Sequence, residues 1–102
     1  MTNVNLYKDF IMLALEKLDK ARELVFGEDG PFYHCSTELY DPVRIMMEKE
    51  RILEYSDYEI RNPNDGGSQR YKSQIRNALV QLKEAGLVEA QGRKKGWRRV
   101  VF

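Results

Sequence analysis

The stretch LKEAGLVEAQGRKKGWRRV, Leu82 to Val100, constrains the fold more than any other part of this chain. A helix carrying Leu82 runs into Gly86, the residue type that most readily takes the left-handed conformation ending a helix. Beyond it, LVEAQ and WRRVVF are strand-like runs, and GRKKG, Gly92 to Gly96, supplies the turn that makes them a hairpin. A purely structural hairpin needs turn formers and solubility at its tip. This one gathers Arg93, Lys94, Lys95, Arg98 and Arg99 around the tip and return strand, a concentration of charge that asks for an anionic partner.

Helical spacing precedes the hairpin. Leu6, Phe10, Leu13, Ala14, Leu18, Ala21 and Val25 recur at intervals of three and four, which predicts one apolar helix face before the stop at Gly27 to Pro31. Phe32 to Cys35 reads as a short strand. Asp41-Pro42 is expected to start a second helix, because Asp accepts from orphan amides and Pro is tolerated in the first turn. Ser56 and Glu59 have capping-box spacing. NPNDGG, Asn62 to Gly67, is a loop, and Ser68 is the expected cap of a helix running to about Ala85. On that helix Tyr71, Ile75, Ala78, Leu79 and Leu82 share the core face. Gln69, Arg70, Ser73, Asn77 and Gln81 lie opposite, with Lys72, Gln74 and Arg76 on the flanks.

With 102 residues the chain is read as one domain, 1–102, with a single modest core. The net charge of +1 hides an asymmetry: residues 1–60 hold 7 Lys and Arg against 13 Asp and Glu, residues 61–102 hold 10 against 3. Such polarity suits a protein that turns one face to a polyanion. No apolar run approaches the roughly 20 residues of a membrane span. The amino terminus lacks the basic and apolar blocks of a signal peptide, and one cysteine cannot form an internal disulfide, so a reducing cytoplasm is the expected compartment.

The expected fold is α+β and mainly helical: a winged helix-turn-helix with a three-helix core and a carboxy-terminal two-stranded wing. In that arrangement the helix before Gly86 enters the major groove of duplex DNA, and the wing touches phosphates. Gln69, Arg70, Ser73, Gln74 and Asn77 are the expected base readers, since Arg reaches guanine while Asn and Gln reach adenine. Lys72, Arg76, Arg93, Lys94, Lys95, Arg98 and Arg99 are the expected phosphate contacts, whose counterion release makes binding salt-sensitive.

From about Ile52 to Val100 the sequence also resembles the amino-terminal winged-helix domain of Mrr-type restriction proteins. ILEYSDYEI is similar to its short helical lead-in, NDGGSQRY to the loop into its recognition helix, IRNALVQLKEAGLVE to that helix and its exit, and GWRRV to the returning wing strand. The resemblance implies a DNA-targeting module that accompanies a nuclease domain in such enzymes. No nuclease domain follows within these residues, so targeting without cleavage is expected.

Each feature has an ordinary reading beside the functional one. The basic tip keeps a hairpin solvated, the polar face of the last helix is simply wet, and Trp97 covers the core. Neighbouring strand residues such as His34 and Cys35 point to opposite faces, so they make neither a catalytic dyad nor a metal site. No phosphate loop or nucleotide fingerprint is present, and no cofactor or catalysis is expected. Two routes follow: a small transcriptional regulator, which would be a homodimer on a palindromic site, or a targeting subunit of a restriction system. The rival from another class is a winged helix that binds protein; RNA is a further polyanion that the residues do not separate from DNA.

Overall fold

A computed structural model describes residues 3–60, 69–92 and 96–101. Ser68, the segment 62–67 expected as a loop, and Arg93, Lys94 and Lys95, expected at a wing tip, lie outside the described residues. Helices α1 (Val4–Phe26), α2 (Ser36–Lys49) and α3 (Arg70–Glu84) pack on one another, a 3-10 turn (Tyr55–Tyr58) leans on α3, and strands β1 (Val88–Ala90) and β2 (Trp97–Arg99) form an antiparallel pair. The protein is thus α+β and mainly helical, with one small sheet. No helix among the described residues is long and apolar enough to cross a membrane.

α3 follows its pattern. Tyr71, Ile75, Ala78, Leu79 and Leu82 are all buried, and Gly86 at φ 79° turns the chain into β1. Each fully buried Ile or Leu here is worth roughly 2 kcal/mol of hydrophobic transfer, so this single face anchors the domain.

α1 is rotated from the expected face. Tyr7, Ile11, Ala14, Leu15 and Asp19 are buried, whereas Leu6, Leu13 and Val25 are exposed at 42%, 48% and 77%. The reason is that α1 carries apolar residues on two faces. The one that wins includes Tyr7, whose hydroxyl donates to buried Asp57 at 3.2 Å. Asn3 caps the helix by accepting from the Asn5 N–H at 2.8 Å.

α2 begins at Ser36, not at Asp41-Pro42, and Pro42 sits inside it. Leu39, Val43 and Met47, four apart, are buried against α1 and α3 and carry the helix through the missing proline N–H. The capping box likewise falls two residues earlier than expected: Glu54 and Asp57 bond reciprocally, and the Glu54 N–H donates to Asp57 Oδ2 at 2.8 Å. The 32–35 segment contributes a single antiparallel bridge, His34 to Trp97, with both backbone N–H groups donating across it at 2.8 and 2.7 Å. That bridge fastens the hairpin base to the start of α2. It passes so close to Gly96, at φ 110°, that a Cβ there would lie 3.0 Å from the His34 backbone.

Candidate nucleic-acid interface

The outward face of α3 carries Ser73, Arg76, Asn77, Val80 and Glu84. Of the expected base readers, Asn77 is exposed, and Ser73 and Arg70 are half-buried. Gln74 is only 9% exposed. Gln69 is the residue before the helix, and its side-chain amide donates to the Tyr58 carbonyl at 3.0 Å, which fixes the helix start on the 3-10 turn. Gln69 and Gln74 are therefore built into the scaffold, for a reason the helical period cannot show: the 3-10 turn and the amino end of α1 cover that flank of α3.

The cations divide by what holds them. Arg98 of β2 pairs with Glu89 directly across the strands, and its guanidinium lies 4.6 Å from the Tyr33 ring centroid. Arg99 reaches the buried carboxylate of Asp19. Arg22 and Arg44 are likewise bound to Glu38 and to Asp41 and Glu48. Lys72 and Arg76 differ. Arg76 donates to the Tyr40 hydroxyl at 3.0 Å and to the Ser73 hydroxyl at 3.1 Å, and the Lys72 ammonium sits over the rings of Tyr40 and Tyr71 at 5.6 and 5.9 Å. Among the described residues no carboxylate pairs with either, so their charge is not cancelled locally.

Two grooves flank α3. One, of about 760 Å³, runs between Cys35, Ser36 and Thr37 at the amino end of α2, Arg76, Val80 and Lys83 on α3, and the hairpin at Ala90 and Trp97. The partial positive charge of the α2 terminus adds to Arg76 and Lys83 there. The other, of about 670 Å³, is lined by Asn3, Asn77, Gln81 and Glu84. Glu84 thus lies on the amide side of α3, away from the cationic groove. Arg76, Val80 and Lys83 continue from Lys72 at helical spacing, so the positive stripe is about 16 Å long at 1.5 Å per residue.

A buried polar cluster sets the angle of the hairpin. The Asp19 carboxylate, with no exposed surface, accepts from the Phe32 N–H at 3.0 Å, faces His34 Nε2 at 2.8 Å and holds Arg99. Burial by itself would push the Asp19 carboxyl up, but the hydrogen bonds from His34, Phe32 and Arg99 outweigh it and hold the group below its ordinary value. His34 Nδ1 lies 3.3 Å from Glu38, so α1 and α2 meet at one imidazole, and β2 joins them through the bond from Arg99 to Asp19. Sequence reasoning gave His34 a structural place but missed Asp19. The signal was the 7, 11, 15, 19 spacing, which puts an aspartate in line with the buried Tyr7, Ile11 and Leu15.

No group of three or more His, Cys, Asp or Glu among the described residues is arranged to hold a metal ion. No family model, curated protein or solved structure matches the chain.

Proposed function

We propose that this chain is a winged-helix protein that binds duplex DNA in the cytoplasm without chemistry of its own, as a small regulator or as the targeting part of a restriction system. The observation that carries the reading is the stripe on α3 where Lys72 and Arg76 are held by hydroxyls and aromatic rings while the arginines of β2 are neutralised by Glu89 and Asp19. Cations held by neutral partners keep their full charge for phosphates. In this reading α2 crosses the backbone, α3 enters the major groove with Ser73, Arg76 and Asn77 leading, and the hairpin reaches an adjacent phosphate or groove. Asn77 is the principal base reader, since its amide is exposed and can pair bidentately with adenine. Arg99 serves the fold, and the wing acts through its tip.

Anisotropy titration of a random duplex of about 25 base pairs tests this. Affinity in the micromolar range that falls steeply between low and moderate salt is expected. Replacing Arg76 by Ala should weaken every duplex similarly, and replacing Asn77 by Ala should relax discrimination between sequences. Absence of binding at low salt would sink the reading and favour a protein partner, for which the exposed Leu24, Val25 and Phe26 at the end of α1, at 88%, 77% and 64%, offer a surface.

A further inference from the structure

The sequence assigns no contact to α2, yet one of its residues joins the cations of α3 in a donor-rich cluster. Tyr40, half-buried on α2, accepts a hydrogen bond from Arg76 Nη1 at 3.0 Å. A phenol that accepts in this way still has its own proton to donate. Ser73 is placed alike, because its hydroxyl accepts from Arg76 Nη2 at 3.1 Å and keeps its proton. The two bonds hold the guanidinium from both ends, and its remaining N–H groups bond to no other group among the described residues. The Lys72 ammonium, over the Tyr40 ring at 5.6 Å, adds three donors and no acceptor. Asp41, next along α2, is engaged by Arg44 at 3.3 Å. The cluster is therefore rich in donors, carries two positive charges and stands at the surface between two helices.

We propose that Tyr40, Ser73, Arg76 and Lys72 form a clamp for one backbone phosphate, with Tyr40 as a direct donor to a phosphodiester oxygen and Ser73 steering Arg76. A phosphodiester fits because it offers two acceptor oxygens and a single negative charge to donors that converge from both helices. The inference rests on the DNA-binding reading and deepens it: α2 is then docked through a tyrosine hydroxyl, and Ser73 acts through Arg76 instead of on a base.

The test uses the full chain and separates the two ideas. Tyr40→Phe removes one neutral hydrogen bond, so duplex affinity should fall about fivefold. The salt slope should stay unchanged, with equal loss for all sequences. Arg76→Ala should lower the slope by about one. The double variant should lose less than the two single losses combined, because Arg76 orients the Tyr40 hydroxyl. Thermal unfolding of Tyr40→Phe should match the parent, which excludes a fold effect. If the parent binds duplex and Tyr40→Phe binds as well as the parent, the clamp is wrong and the DNA reading stands. A second probe, inorganic phosphate followed through the Arg76 Nε–Hε resonance, works without DNA. A shift that Tyr40→Phe abolishes supports the clamp even if no duplex binds, and no shift together with no duplex binding overturns both.

Discussion

Removing the Asp19 carboxylate should cost this protein a large part of its stability, although the residue lies on a helix that touches no proposed ligand. Asp19→Ala deletes one acceptor that serves three donors: the Phe32 N–H, His34 and Arg99. His34 has no exposed surface and would keep only Glu38, at 3.3 Å. Arg99, whose side chain is 28% exposed, can turn to water and recover part of the loss. Breaking a buried charge pair from one side costs about 3–5 kcal/mol, and the partial exposure of Arg99 argues for the lower end, about 3 kcal/mol. In a domain of this size that lowers the melting temperature by roughly 12–24 °C. Urea unfolding followed by far-UV circular dichroism measures it directly, and a loss under about 1 kcal/mol would refute the reasoning. The pH dependence carries a sign. The folded carboxyl is held below its ordinary value of 3.8, so its contribution is complete above about pH 5 and is lost as the pH falls through 3.8 towards the folded value. The gap between parent and Asp19→Ala should therefore narrow in acid; a gap that widened would show that the hydrogen bonds do not outweigh burial.

Three further outcomes follow from the packing. Gly96→Ala forces a Cβ to within 3.0 Å of the His34 backbone at φ 110°, so it should destabilise by about 2 kcal/mol or more, read from urea midpoints. Pro42→Ala restores an N–H within α2, so stability read from urea midpoints should rise by about 1 kcal/mol; a fall would refute this. Leu24→Ser with Phe26→Ser changes side chains that are 88% and 64% exposed, so stability should move by less than about 0.5 kcal/mol while light scattering at high concentration decreases.

How far the residues announced this arrangement differs from helix to helix. α3 was legible because its apolar positions other than Val80 lie on one side, so period and burial agree for Tyr71, Ile75, Ala78, Leu79 and Leu82 and fail only where neighbouring elements cover Gln74. α1 was not, since Leu6, Leu13 and Leu24 compete with Tyr7, Ile11 and Leu15 for the core, and hydrophobicity alone ranks leucine above tyrosine. What decides is the acceptor that Tyr7 finds in Asp57, 50 residues away. The start of α2 was obscured by Asp41-Pro42, a local signal overridden by the burial of Leu39, Val43 and Met47. At the candidate interface, the positive charge on α3 was readable from composition. The neutralisation of Arg98 and Arg99 was not, because it depends on partners across the sheet and at residue 19.

That last contact changes the meaning of the charge asymmetry between the two halves of the chain. The bond between Asp19 and Arg99 joins residues 80 apart, a wider span than the α1–α2 and α2–α3 contacts beside it. Because the chain is made from its amino end, Arg99 is the last member of the buried cluster to be added. During synthesis, then, the three helices can assemble while Asp19 and His34 still wait, wet and unsatisfied, for the last strand. Only when β2 has left the ribosome can the buried cluster close, which makes Arg99 the residue that completes the fold.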